Sequence, residues 1–227
     1  RTFSTTADER GAWVIELPSL KADGGKSHQI TIKGKNTIVL EDILIGDVWI
    51  GSGQSNMEWS LNQSERRDDF VKGANHPGIR LFHIPKKQFD QPQPDVPNKW
   101  KTCTSANIPN FSAVLYHFGK TIHADQDVPV GLINSSWGGS PIEPWTVTKS
   151  GSGKMYNGMI APIIDFRVTG TIWYQGETNV IQNNGLAYTG KMKALIEGWR
   201  RVFDNESMPF YFVQIAPFQY GNEDPGI

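Results

Sequence analysis

The chain has 227 residues, with 22 basic and 23 acidic side chains and a formal net charge of −1. That balance gives no global field to recruit nucleic acid or an anionic membrane, and no apolar run approaches the roughly 20 residues that span a bilayer. The single cysteine, Cys103, excludes an internal disulfide and a Cys-based zinc cluster, and without a glycine-rich turn around it the residue reads as a plain structural or surface thiol.

The length accommodates one domain and a small appendage, and the amino end opens on polar Arg1-Thr2-Phe3-Ser4-Thr5 rather than a signal peptide. Residues 12–45 read as β structure. Trp13-Val14-Ile15-Glu16-Leu17 and Gln29-Ile30-Thr31-Ile32-Lys33 alternate apolar and polar, Asp23-Gly24-Gly25-Lys26 supplies a turn, and Thr37-Ile38-Val39-Leu40 follows. Too little is present to close an antiparallel sandwich alone, so residues 1–41 are expected to be part of a larger β domain.

From residue 42 the pattern changes. Buried strands are predicted at 43–50, 79–84, 128–134, 168–174 and 210–215, with Pro129 confined to a strand start. A helix is predicted over 113–124, capped by Ser112, with Val114, Leu115, Phe118 and Ile122 on one face. A second, over 189–203, aligns Met192, Leu195, Ile196, Trp199, Val202 and Phe203. The Pro-, Lys- and Asn-rich stretch 85–110 reads as a long surface excursion. Strands alternating with helices predict an α/β fold with a parallel sheet covered on both faces, over residues 42–227.

Three predicted strands end in polar clusters: Gly51-Ser52-Gly53-Gln54-Ser55-Asn56-Met57, Asn134-Ser135-Ser136-Trp137-Gly138-Gly139-Ser140 and Gln175-Gly176-Glu177-Thr178-Asn179. Ligands of open α/β sheets bind outside the carboxyl ends of the strands. Convergence there would bring together a serine, glycine amides, a side-chain amide and a carboxylate, the parts that acyl transfer needs. The glycine-rich run is not a Walker loop, for no Gly-Lys-Ser/Thr closes it, and Met57 stands where an α/β-hydrolase elbow has its second glycine. Each cluster taken singly is also compatible with a turn or a helix-terminal charge; their ordered occurrence together is what points to chemistry.

Gly46-Asp47-Val48-Trp49-Ile50-Gly51-Ser52-Gly53-Gln54-Ser55-Asn56-Met57-Glu58 resembles the first block of sialate O-acetylesterases and of the related carbohydrate esterase family 6, members of the SGNH hydrolase superfamily. Gly131 through Trp145 resembles the second block, and Tyr156-Asn157-Gly158-Met159-Ile160-Ala161-Pro162 with Trp173-Tyr174-Gln175-Gly176-Glu177-Thr178-Asn179 resembles the third region. The resemblance implies a flavodoxin-like three-layer sandwich and a secreted or periplasmic serine esterase that removes O-acetyl groups from sialic acid or an acetylated polysaccharide. It needs no cofactor or metal. Ser55 is implied as nucleophile, with oxyanion donors from Ser55, Gly138 or Gly139, and Gln175. Glu177, or an aspartate before the family's histidine, orients that histidine, and Asn56, Trp137 and Asn179 are expected to meet substrate.

Two features depart from the family. Its histidine follows the last matching block, whereas His28, His76, His83, His117 and His123 all precede Glu177, so a carboxyl-terminal segment is expected to supply the imidazole. The link 149–155 is also shorter than usual. A carbohydrate-binding domain that has lost catalysis is the main alternative. A glycoside hydrolase using Glu143 and Glu177 is the weaker one.

Overall fold

The computed structural model describes residues 1–182 and 185–217. Strands β1 (His28–Lys33) and β2 (Thr37–Ile43) form an antiparallel hairpin. It is followed by β3 (Asp47–Gly53), the one-turn helix α1 (Ser55–Glu58) and α2 (Arg67–Lys72). Next come β4 (Asn75–His83), β5 (Lys101–Thr104), α3 (Ala113–Gln126), β6 (Val130–Ser136) and α4 (Lys154–Met159). The described chain closes with β7 (Gly170–Tyr174), α5 (Glu177–Ile181), α6 (Tyr188–Val202) and β8 (Phe210–Phe212).

Strands β3 to β8 make one six-stranded sheet in the order β5-β4-β6-β3-β7-β8. Every pairing is parallel except that of β4 with β5. Because side chains alternate across a strand, each central strand feeds two cores. Trp49, Leu132 and Ile172 join Leu115 and Tyr116 of α3 on one face, whereas Ile50, Ile133 and Trp173 join Leu195 and Trp199 of α6 on the other. The expected two-faced α/β sheet is thus the observed one. In the second core the fully buried Trp145, Trp173 and Trp199 meet edge to face, with centroids 6.2 and 6.0 Å apart.

Local signals place the helices well. Ser112 caps α3 by accepting a hydrogen bond from Leu115 N at 3.1 Å, and the expected stripe of α6 buries Met192, Leu195 and Trp199. Three expectations need correction. Residues 13–17 form no strand, and Val14 is 73% exposed: with no neighbour to pair, its alternation has nothing to face. The excursion 85–110 contains the edge strand β5, whose lone apolar residue, Cys103, is buried. The strand predicted over 210–215 stops at Phe212. The short link 149–155 closes as a tight turn, Thr148 N donating to Gly151 O at 2.8 Å.

The hairpin and its approach differ from the sheet. Trp13, Leu17, Ile38, Val39 and Leu40 are all exposed, and Arg80 holds Asp42 through paired bonds of 2.9 and 2.8 Å.

Candidate active site

The register brings the three polar clusters to one edge. Gly53 at the end of β3 lies opposite Ser136 of β6 and Tyr174 of β7. Gly53 O accepts from Trp137 N at 3.0 Å, and Gln54 N donates to Tyr174 O at 2.9 Å, so the turn before Ser55 is tied on both sides. Only glycine fits at its base: Gly53 has φ +136, and a Cβ there would lie 2.1 Å from Tyr174 O. The side chain of Gln54 fastens the first cluster to the third, its Oε1 accepting from Gly176 N and Thr178 N at 3.2 and 3.3 Å.

Ser55 emerges from this frame as the first residue of α1. It is exposed, and its Oγ makes no hydrogen bond among the described residues. Its N–H, being the first amide of the helix, has no intrahelical acceptor. The second cluster reaches it directly, because a Cβ added at Gly138 would lie 3.7 Å from both Cα and Cβ of Ser55. Gly138 N donates to Glu58 Oε2 at 2.5 Å, and Glu58 is ion-paired with Lys86. Gly139 is exposed with φ +74, and its N–H has no partner among the described residues.

The third cluster differs. Gln175 is 3% exposed, and its Nε2 donates to Ser140 O at 3.1 Å and to Asn179 Oδ1 at 2.8 Å, while its Oε1 accepts from Tyr188 OH at 2.7 Å. The amide orientation is fixed because Ser140 O can only accept. Both amide protons are therefore spent, and the expected donation of Gln175 to an oxyanion has no proton free in this arrangement. Asn179, expected to meet substrate, lies in the same buried network. It is fully buried, its Oδ1 also accepts from Ile142 N, and its Nδ2 donates to both oxygens of Glu143. Tyr188 completes the network, and burial pushes its phenol up to about 12.

Asn56 and Glu177 link the first and third clusters, Asn56 Nδ2 donating to Glu177 Oε1. One of the two amide protons of Asn56, a residue expected to meet substrate, thus goes to the carboxylate. Glu177 Oε2 is buried without a hydrogen-bond partner among the described residues. Trp137 is half-buried, with its indole packed partly on the core that contains Trp145.

Among the described residues no histidine makes a hydrogen bond to Ser55. His28 bonds Asp23, His76 bonds Tyr116 at 3.3 Å and His123 bonds Val128 O at 2.6 Å. His117 packs on Phe70. His83 approaches Asn134 at 3.5 Å, and burial lowers its pKa against the opposing pull of Glu58. The glycosidase alternative fares no better. Burial pushes Glu143 up, but bonds from Lys191 and Asn179 outweigh it and leave the carboxyl below its usual range, opposite to what a general acid needs. Among the described residues no group of three or more His, Cys, Asp or Glu side chains could hold a metal.

Sequence reasoning missed Gln54, Glu58, Lys86 and Tyr188. Gln54 and Glu58 lie within the first block, but Lys86 and Tyr188 have no local pattern to mark them.

Residues 45–224 match the family described as "Carbohydrate esterase, sialic acid-specific acetylesterase". Among curated proteins, the sialate O-acetylesterase of Homo sapiens is 32% identical over 244 residues, which cover 90% of this chain and 46% of that protein. The corresponding Rattus norvegicus protein is 28% identical, over 91% of this chain and 50% of its own length. The chain thus spans about half the length of the curated relatives it matches. A carbohydrate acetylesterase from Xanthomonas citri superposes with a TM-score of 0.88 at 38% identity, over 96% of this chain and 52% of that one. An Arabidopsis thaliana protein with 18% identity and a TM-score of 0.56, over 75% of this chain and 74% of its own, shares the fold.

Proposed function

Because the chain belongs to the sialic acid-specific acetylesterase family of carbohydrate esterases, we propose that Ser55 is the nucleophile of an enzyme that removes O-acetyl groups from carbohydrate. The observation that carries this reading is the placement of Ser55. It is an exposed, unbonded hydroxyl on a turn that two neighbouring strand ends hold in place. Ser55 Oγ attacks the acetyl carbonyl and its proton passes to a base. The developing oxyanion is met by the N–H groups of Ser55 and Gly139, and the sugar oxygen leaves with the proton. Water then attacks the acetyl-serine, acetate departs, and Ser55 recovers its proton.

The base is a histidine outside residues 1–227. In support, each of the five histidines in the chain is engaged elsewhere or distant in its contacts, and the relatives are about twice as long. Glu177 is its orienting partner: a buried carboxylate oxygen without a donor is costly, and an imidazole N–H would satisfy it. Sialic acid acetyl esters are the first substrates to test, since the curated relatives are sialate O-acetylesterases. The exposed apolar side chains of the hairpin support reading residues 1–41 as part of a separate β domain.

The test compares acetate release from 4-nitrophenyl acetate and from O-acetylated sialic acid. One sample is residues 1–227, the other a protein extended to the length of its relatives. The extended protein is expected to turn over both esters, and Ser55→Ala to abolish this. Residues 1–227 should retain only what a site lacking one triad member supplies, at best about 10³- to 10⁴-fold over water. Undiminished turnover by Ser55→Ala would remove Ser55 from the mechanism. Sugar binding without hydrolysis by the extended protein would establish the lapsed, binding-only alternative.

A further inference from the structure

Glu58 ends the one-turn helix that Ser55 begins, and its own N–H is anchored on Gln54 O at 2.9 Å. From that fixed base its carboxylate reaches the second cluster, where Oε2 accepts the Gly138 N–H at 2.5 Å while Oε1 is paired with Lys86. The bond is charge-assisted, the stronger class of hydrogen bond. It removes Gly138 N–H from the amides that could face an oxyanion, because that proton already serves a carboxylate. The rest of the turn is closed by Ser140, whose N–H and hydroxyl both donate to Trp137 O, at 3.3 and 2.7 Å. Between these two fastenings only the Gly139 N–H is left without an acceptor among the described residues.

We propose that Glu58 is a positioning residue for deacetylation, acting through Gly138 to set where the Gly139 N–H stands relative to Ser55. The proposal rests on Ser55 being the nucleophile. It assigns a task to a side chain that neither attacks the substrate nor moves a proton. The reach is short, since the carboxylate and Ser55 share one helical turn and therefore move together with respect to the second cluster. A carboxylate here lends rigidity, and it also places negative charge near the hole, so the sign of its effect on rate is itself a test.

The experiment uses protein extended to the length of its relatives, assayed on 4-nitrophenyl acetate. Glu58→Ala frees the turn and is expected to lower kcat by about 10- to 100-fold, the scale of a small misplacement of a reacting group, with KM nearly unchanged. Glu58→Gln, whose side-chain carbonyl can still accept from Gly138 N–H, should recover most of that loss. Gly138→Ala tests the same contact from the other side, since its new methyl group would lie 3.0 Å from Glu58 Oε2. The Glu58→Ala/Gly138→Ala double variant should lose no more than the worse single one. Thermal midpoints near the parent's show that the loss is not unfolding; if Glu58→Ala does not fold, the Glu58→Gln and Gly138→Ala pair decides the matter. An unchanged or raised kcat in Glu58→Ala would overturn the proposal, a rise meaning that the carboxylate obstructs the hole. Equal losses in Glu58→Gln and Glu58→Ala would overturn it too, since charge and not the hydrogen bond would then matter. Ser55→Ala that still turns over would instead defeat the underlying reading.

Discussion

The turn that carries Ser55 and the end of β7 lie side by side on one sheet edge, yet their polar groups are treated in opposite ways. Ser55 is exposed and its hydroxyl is unbonded, whereas Gln175 and Asn179 are buried with both amide ends engaged. A buried polar network is stabilising only when it is fully satisfied, and a reacting hydroxyl is useful only when it is not already committed. The contrast separates a frame, which must be rigid, from the group it presents. A residue's presence in a family block therefore does not say on which side of that division it falls.

The sharpest test of the contrast is Ser55→Ala in the active, extended protein. It should lower kcat by about 10⁶-fold, the scale seen when the serine of a triad is removed, and leave the melting temperature where it was. Glu177→Ala should come next, near the roughly 10⁴-fold loss of an orienting carboxylate. In residues 1–227, where Glu177 Oε2 has no hydrogen-bond partner among the described residues, calorimetry should record little stability cost beyond the lost bond from Asn56. Gln175→Ala should invert the pattern. It takes one hydrogen bond each from Tyr188 OH and Asn179 Oδ1 and leaves Ser140 O without a donor among the described residues, and at about 1–3 kcal/mol for a buried polar group left without its partner the main loss is in the denaturant midpoint. A Gln175→Ala protein of parental stability but low kcat would break the comparison and return Gln175 to the reacting side.

The smallest effect belongs to Tyr188. Its phenol has a folded pKa of about 12 against an ordinary value of 10.0, raised by burial. The unfolded chain releases that proton first, so this residue's contribution is intact below pH 10 and is lost as pH rises towards 12. Tyr188→Phe should cost about 1 kcal/mol at neutral pH. It should also flatten the alkaline slope of unfolding free energy between those two values.

Much of this was legible from residue patterns because the physics is local. The cap at Ser112, the stripe of α6 and the continuous apolar runs of β3 and β6 depend on near neighbours. β5 was hidden because Lys101-Thr102-Cys103-Thr104 carries one apolar residue, and its burial depends on β4. Trp13–Leu17 carried a strand's alternation without a partner strand to use it. At the site, the three clusters announced themselves, and their meeting at one edge followed from parallel topology. The assignment of Gln175 and Asn179 to the frame did not follow, because it depends on Tyr188, Ser140 and Glu143, which are distant along the chain or unremarkable in sequence. Glu58 was in plain view within the first block, but its partner amide is 80 residues away.

The three edge-to-face tryptophans have an optical consequence. Trp173 Nε1 donates to Tyr188 OH at 3.2 Å, and that same hydroxyl donates to Gln175. Trp145 and Trp199 are coupled in turn, Trp199 Nε1 donating to Trp145 O at 2.9 Å and Trp145 Nε1 to Ser140 Oγ at 3.0 Å. Interlocked indoles in a fixed chiral arrangement give strong near-ultraviolet circular dichroism, and their emission responds to the polarity and hydrogen bonding around them. The frame behind Ser55 therefore carries its own chromophores. A displacement of Gln175 or Ser140 can be followed spectroscopically without a label, in a protein that turns over no substrate.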